Sequence, residues 1–227
     1  MIDSLDKLEG TALEWGLLPF FSNEIKGFSV QEQTAPGFLL SDDGEECWML
    51  KCPVIGRQSV SYGKFFRKKA GFVSLSLFPD FLNYRRWRYP VLPGSTDSMI
   101  LDIIKENEGL TSTELKGIIF GRPKHRKVGD NLVGVDNYVK PKRHSLEGAL
   151  QRLQMGGHIL IADFQYKLTR RGERYGWGVA LYSTPEIWFD KDFSIKRTPE
   201  DSFKDLVDSL NRKMPGVSRA RIEKLLL

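Results

Sequence analysis

The chain has 227 residues, of which 41% are hydrophobic, so it is long enough to bury a full core. No apolar run is long enough to span a membrane and the acidic start does not resemble a signal peptide, which favours a cytoplasmic protein without a membrane partner. Cys47 and Cys52 are interpreted as reduced thiols. The three histidines lie far from them in the sequence, and no phosphate-binding or dinucleotide-binding motif is present. We therefore expect neither a metal nor a cofactor.

The net charge is only +5, but its distribution along the chain is uneven. Residues 1–50 hold 2 basic and 10 acidic side chains, net −8. Residues 51–90 hold 9 basic and 1 acidic, net +8, and residues 122–174 hold 12 basic and 5 acidic, net +7. The two basic segments predict a surface that binds a polyanion if folding brings them together.

The first part of the chain predicts helices separated by loops. Residues 2–16 have the apolar spacing of a helix. Ser29 followed by Glu32 is a capping-box pattern that predicts a second helix start. Residues 47–53 and 60–62 predict short strands or irregular structure.

Residues 62–72 form the most concentrated basic and aromatic cluster. On a helix, Lys64, Arg67 and Lys68 would share one face while two phenylalanines point to the core. Such a stripe suits phosphate binding, because charge neutralisation drives affinity for nucleic acids. A solvated basic face is the alternative.

A further helix is predicted from about Leu77 to Trp87. Its last turn carries Arg85 and Arg86, which suit the negative end of the helix dipole. The sequence supports a stabilising role and a DNA-binding role for these two arginines equally.

Two capped helices follow. The first starts at Thr96 or Asp97, and the second starts with a capping box formed by Thr111 and Glu114. The connection after them, residues 122–144, is basic at both ends and long for a link between helices. It is therefore either a functional loop or a mobile insertion.

A third helix and a hairpin complete the pattern. Ser145 predicts the N-cap of the helix, and a glycine pair predicts its end. Residues 159–168 alternate between apolar and polar, as in a strand buried on one face, and residues 177–182 predict the returning strand. The basic residues of the turn between them are Arg170, Arg171 and Arg174. From a hairpin tip, such side chains can reach DNA phosphates or a groove, and with Glu173 the tip has a net charge of +2. A solvated hairpin is the alternative.

Together these elements predict an α+β fold, a winged helix-turn-helix domain with an additional mainly helical N-terminal layer and C-terminal helices. We expect an N-terminal basic and aromatic region at residues 1–93, the winged-helix domain at 94–190 and C-terminal helices at 191–227. The C-terminal helices are expected to pack on the outside. A winged helix is used mainly to hold nucleic acid, although it also serves as a protein-interaction module.

Four stretches of the chain resemble one protein family. They are SYGKFFRKKAGFVS, FPDFLNYRR, LQMGGHILIADFQYKLTRRGERYGWGVALYSTPE and the step from Pro199 to Ser202. From roughly Trp15 to Met214 the chain resembles the bacterial AlkZ-related proteins, small relatives of the winged-helix AlkZ-type DNA glycosylases. The resemblance implies a winged-helix fold and a link to the repair of alkylated or cross-linked DNA.

The resemblance also suggests a candidate catalytic pair. AlkZ-type glycosylases use Gln-apolar-Gln, or a similar pair, to place a water near the sugar of a damaged nucleotide. Gln31 and Gln33 resemble that pair, although the residue between them, Glu32, is charged. Two surface glutamines are the alternative. Glu32, Asp42 and Asp43 are further candidates for a carboxylate near the sugar, and the aromatic residues Trp48 and Tyr62 are candidates to line a pocket for the damaged base.

Three functions are therefore open. The first is a repair-type winged-helix protein that binds double-stranded DNA, and the second is a DNA glycosylase that hydrolyses an N-glycosidic bond. The third is a non-catalytic transcription regulator or protein-interaction module. The third helix offers only Gln151, Arg152 and Gln154 for base contacts, which disfavours sequence-specific binding. The oligomeric state stays open.

Overall fold

A computed structural model describes residues 1–36, 39, 47–121, 143–172 and 174–227. In these residues the helices are Leu5–Trp15 (α1), Val30–Gln33 (α2), Cys47–Gly56 (α3), Phe78–Arg88 (α4), Thr96–Glu106 (α5), Ser112–Phe120 (α6), Arg143–Met155 (α7), Pro185–Phe189 (α8), Pro199–Lys213 (α9) and Arg219–Leu226 (α10). The strands are Leu17–Pro19 (β1), Val60–Phe66 (β2), Lys69–Ser74 (β3), Leu110–Thr111 (β4), Leu160–Leu168 (β5) and Arg174–Ser183 (β6). Helices combined with small antiparallel sheets confirm the α+β class. Most of the predicted connection 122–144 lies outside the described residues.

The N-terminal region is organised around an antiparallel sheet in the order β1, β3, β2. Phe72 of the central strand lies opposite Leu18 on one side and Tyr62 on the other, and all three are buried. Apolar residues of α1, α3 and α4 pack into the same core. The layer that was expected to be mainly helical therefore has a sheet at its centre.

Residues 62–72 form a β-hairpin, so the predicted helix is wrong. Phe66 and Lys69 pair across the turn. The two turn residues, Arg67 and Lys68, have φ of 47° and 71°. A two-residue hairpin turn needs this left-handed backbone at both positions. Most side chains of β2 are buried on both faces of the sheet, and this burial outweighs the helical spacing of the cations.

Residues 47–53 belong to α3, where short strands or irregular structure had been expected. Cys47, Val54 and Ile55 are buried in the N-terminal core, and α3 packs against α1 and β5. Cys47 and Cys52 are free thiols.

The elements α5, β4, α6, α7, β5 and β6 follow one another along the chain. Their three helices and β4 share a second hydrophobic cluster. The three strands form an antiparallel sheet in the order β4, β6, β5, with Tyr182 of β6 between Leu110 and Ile161. The hairpin expected after the third helix is thereby confirmed.

The capping box that opens α6 is also confirmed. The Thr111 hydroxyl accepts a hydrogen bond from the Glu114 N–H at 3.2 Å, and the Glu114 carboxylate accepts one from the Thr111 N–H at 2.9 Å. Gly121 ends the helix with a left-handed φ of 73°. These contacts are local, so the sequence was sufficient to predict them.

Two other predicted caps are wrong. Ser95, and not Thr96 or Asp97, caps α5 by accepting the N–H of Ser98 at 3.1 Å. The third helix, α7, begins at Arg143, so Ser145 lies inside the helix and not at its N-cap position.

The C-terminal helices close the N-terminal core and do not lie outside it. Leu206, Leu210 and Ile222 are buried in the same cluster as the first sheet. α9 packs against α4, where the Asn83 amide donates to the Ser202 hydroxyl at 2.9 Å.

Candidate nucleic-acid interface

Three predicted DNA-binding residues lie at the β2–β3 hairpin. Lys64 is exposed near the end of β2, and Arg67 and Lys68 are exposed in the turn. The Arg67 guanidinium pairs with the Glu24 carboxylate at 3.0 Å. Arg67 is therefore partly neutralised, while Lys64 and Lys68 present their charge to solvent.

Arg85 lies in the core, which corrects its assignment to the DNA-binding surface. The residue is 1% exposed, and its guanidinium donates to the Phe65 carbonyl oxygen and to the Leu227 oxygen. The guanidinium carbon lies 5.2 Å from the centroid of the Phe81 ring. Burial lowers the pKa of Arg85 to about 10, so the group stays charged at neutral pH. Arg85 connects α4 to β2 and cannot reach a phosphate.

Arg86 and Arg152 reach the surface, but each pairs with a carboxylate. Arg86 contacts Glu186 at 2.7 Å. Arg152 donates two hydrogen bonds to Asp97, at 2.6 and 2.8 Å. Both arginines therefore offer less net charge to a polyanion than the sequence suggested.

A second residue of α7 that was predicted to contact bases, Gln154, is also not available to DNA. Gln154 is 1% exposed; its Oε1 accepts the backbone N–H of Lys64 and its Nε2 donates to the Leu150 carbonyl, each at 3.1 Å. Gln154 cannot contact bases, because its side chain is buried between α7 and β2. Glu147, on the exposed side of α7, pairs with Lys116 at 3.3 Å.

We call the end of the β5–β6 hairpin, residues 167–172, the wing, and its tip is a turn from Thr169 to Gly172. The Gly172 N–H donates to the Thr169 carbonyl at 3.0 Å. Arg170 and Arg171 therefore occupy the two central positions of the turn, and both are exposed. Arg174 begins β6. The structure thus presents two predicted DNA-binding arginines at the tip of a projecting hairpin.

Two residues beside the turn had not been singled out from the sequence. Lys167 and Leu168 are both exposed, although strict alternation would turn one of them toward the covered face. A register shift between Gln165 and Lys167 interrupts that alternation. The sequence feature that could have identified these two residues is a leucine next to a basic turn, at the end of a predicted strand.

The β2–β3 turn and the wing lie at opposite ends of the contact between β2 and β5. The Tyr62 ring meets the Phe164 ring, near the middle of β5, with centroids 6.2 Å apart. Lys64 lies two residues closer to the β2–β3 turn than Tyr62 does. It contacts Gln154, which precedes β5 in the chain. Moving along β2 toward its turn therefore leads away from the wing. Among the described residues, the basic β2–β3 turn and the wing therefore lie at different ends of this contact.

Gln31 and Gln33 both hold the loop between β1 and α2. The Gln31 Oε1 accepts hydrogen bonds from the Ser22 N–H and hydroxyl, at 3.1 and 3.0 Å. The Gln33 Nε2 donates to the Gly27 carbonyl at 3.0 Å. A catalytic role for the pair stays a prediction.

A cavity of about 260 Å³ lies beside this loop, and its lining includes Phe21, Glu24 and Arg67. The two aromatic residues expected in a pocket are not part of that lining. Trp48 packs edge-on against Phe20, with ring centroids 5.4 Å apart, and Tyr62 is buried, which raises its pKa. Asp42 and Asp43 lie outside the described residues.

Within the described part of the chain, no helix is long and apolar enough to cross a membrane. In the same residues, no cluster of three or more histidine, cysteine or acidic side chains is arranged to hold a metal ion.

The chain was compared with protein families, curated proteins and solved structures. No curated protein and no solved structure matches the chain. A family model described as AlkZ related matches residues 2–227, which is nearly the whole sequence. The chain therefore belongs to the AlkZ-related family.

Proposed function

We propose that this chain is a winged-helix protein that binds double-stranded DNA and serves the repair of alkylated or cross-linked DNA. The order α5, β4, α6, α7, β5, β6, with a terminal hairpin, supports the winged-helix assignment. Membership of the AlkZ-related family supports a relationship to DNA glycosylases. A fold alone does not determine a function, so the choice between DNA and a protein partner has to be argued from the charges of the winged-helix unit.

The observation that carries the proposal is the charge of the wing. Lys167, Arg170 and Arg171 are all exposed within five residues. Among the residues that the structure describes, none of these three side chains pairs with a carboxylate. Cations that have no carboxylate partner can neutralise phosphates and release counterions, which is the main source of affinity for DNA.

The third helix supports contacts with the DNA backbone more than with bases. Sequence-specific winged helices place several free side chains of this helix in the major groove. Here Arg152 is held by Asp97, and Gln154 is buried. We therefore infer little sequence preference, which argues against the alternative function of a transcription regulator.

Glycosylase chemistry is a separate proposal. We propose Gln31 and Gln33 as the residues that would place the attacking water. Because these side chains already bond to Ser22 and Gly27, they would have to exchange those partners for the water. A general base or a water-positioning group must lie within hydrogen-bond reach of its target, although such contacts often form only with substrate bound.

The test combines a gel-shift assay with a cleavage assay. The purified chain is titrated with duplexes of unrelated sequence at low and at physiological salt, and we expect similar affinities that fall steeply with salt. A duplex carrying an alkylated purine is then incubated with the chain and treated with alkali, which reveals any released base as a strand break. Affinity that does not change with salt would contradict DNA binding through phosphates. Equal base release by the wild type, Gln31→Ala and Gln33→Ala would exclude the glutamine pair.

We also propose a cytoplasmic location and the division into residues 1–93, 94–190 and 191–227. The free thiols Cys47 and Cys52 fit a reducing compartment. The two hydrophobic clusters support a boundary near residue 93, although the last of the three regions packs into the first.

A further inference from the structure

We propose that the wing inserts Leu168 as an apolar wedge between base pairs in the minor groove of duplex DNA, while Arg170 and Arg171 hold the walls of that groove. The inference rests on the proposed function and deepens it. It names the groove that is entered and the side chain that enters it.

The first observation is the exposure of Leu168. This leucine is 60% exposed at the end of β5, directly before the turn. A single exposed leucine is ordinary on a protein surface. Leu168 is unusual in its surroundings, because Lys167 precedes it and Arg170 and Arg171 follow it, all exposed. Apolar and cationic groups at one narrow tip match a ligand that is anionic outside and apolar inside.

The second observation is the shape of the tip. Leu168 pairs with Arg174 in the last described pair of the hairpin, and the Thr169–Gly172 hydrogen bond closes the turn beyond it. Two residues along an extended chain span only about 7 Å, so Leu168 and Arg170 can reach the same short stretch of DNA. Proteins that bind the minor groove combine arginine or lysine with an apolar wedge such as leucine, which partly unstacks a base step.

The third observation concerns α7, the helix that would contact the major groove of DNA if the wing did not supply the main contact. The exposed side of α7 carries Glu147 paired with Lys116, and Arg152 paired with Asp97. Among the side chains of α7 that the structure describes, these neutralised groups have little to offer the major groove. The wing therefore supplies the main contact, and its composition favours the minor groove.

The experiment reports unstacking separately from binding. Duplexes that carry 2-aminopurine at a central A·T step are titrated with the full chain, and binding is measured in parallel by fluorescence anisotropy of an end label. We expect the wild type to increase 2-aminopurine emission when the duplex is saturated. Leu168→Gln should lose most of that increase while its dissociation constant changes by only a few-fold, because the wedge contact is lost together with the cost of unstacking.

The matched control is Leu13→Gln on α1, since Leu13 is also exposed, at 45%, and lies far from the wing in the sequence. It should keep the full emission increase. Melting temperatures of both variants should equal that of the wild type, which shows that both are folded.

The outcomes separate the two proposals. Binding without an emission change in the wild type, or an equal change in Leu168→Gln, overturns the wedge and leaves DNA binding intact. No binding to any duplex overturns the proposed function and the wedge with it. Sedimentation of the chain with phosphatidylserine vesicles, lost in Leu168→Gln while the emission increase is unchanged, would assign the wing to an anionic membrane surface and overturn the proposal.

Discussion

The side-chain oxygen of Gln154 accepts the backbone N–H of Lys64 at 3.1 Å, across 90 positions of sequence. This contact joins α7 of the second cluster to β2 of the first sheet. The same Gln154 side chain donates to the Leu150 carbonyl, so both ends of its amide are engaged in a buried position.

Gln154→Leu should therefore destabilise the fold. Loss of the amide leaves the Lys64 N–H without its partner in a site where Gln154 is 1% exposed. An unsatisfied buried donor costs about 1–3 kcal/mol. The free energy of unfolding in urea measures the loss. Gln151→Leu, on the same helix but partly exposed, is the control and should change this free energy by much less.

Arg85→Ala should lower stability without lowering the DNA affinity of the folded protein. Its guanidinium satisfies the buried Phe65 carbonyl and packs on the Phe81 ring. Hydrogen bonds from charged groups contribute about 1.5–3 kcal/mol each, so we expect a loss of at least that size in urea unfolding. Arg88→Ala, exposed at the end of the same helix, should be nearly neutral for stability. A stable Arg85→Ala variant with weakened DNA binding would restore Arg85 to the interface.

His158 should make stability fall in mild acid. Its Nε2 lies 2.7 Å from the Tyr89 carbonyl oxygen. Burial lowers the pKa of His158, and the charges of Arg86 and Lys105 lower it further, whereas the Tyr89 bond and Glu186 act in the opposite direction. In the unfolded chain the pKa of a histidine is about 6.5. The stability provided by neutral His158 is thus fully present above that pH and is lost as pH falls toward the lowered folded pKa.

Urea midpoints at about pH 7.5 and about pH 5.5 test this dependence on both sides of the unfolded pKa. The wild type should lose more stability between these conditions than His158→Gln, which cannot titrate. An identical drop in both proteins would assign the pH dependence to other groups.

Charge reversal at the wing should weaken DNA binding without changing the fold. Arg170→Glu with Arg171→Glu removes two proposed phosphate contacts from exposed positions, so the melting temperature should stay unchanged. The dissociation constant should rise for all duplex sequences alike, and the slope of log affinity against log salt should fall by about 2. The matched control is Lys196→Glu with Lys204→Glu, two exposed lysines outside the winged-helix unit. Equal weakening by both double variants would show that only net charge matters and that the wing has no special role.

The sequence alone determined the features whose partners are close along the chain. The capping box of Thr111 and Glu114 needs only residues three apart, and the β5–β6 hairpin is predicted by the alternation of residues 159–168 before a glycine-containing turn. The C-terminal helix α9 likewise begins at Pro199, directly after Thr198, whose hydroxyl caps the helix by accepting the Asp201 N–H. In each case the hydrogen bonds that specify the element are made within it or with its immediate neighbours.

Only the tertiary structure decided the features that depend on distant partners. Residues 62–72 have helical spacing but form a hairpin, because β3 also pairs with β1 from the start of the chain and both faces of the sheet are buried. The sequence also did not determine which arginines are buried or paired. Arg85 is buried and donates to the Phe65 carbonyl, and Arg152 pairs with Asp97. Arg170 and Arg171, in contrast, are exposed. A basic residue looks the same in a sequence whether its charge is free or paired. Whether it can bind DNA depends on burial and on carboxylates that folding brings from tens of positions away.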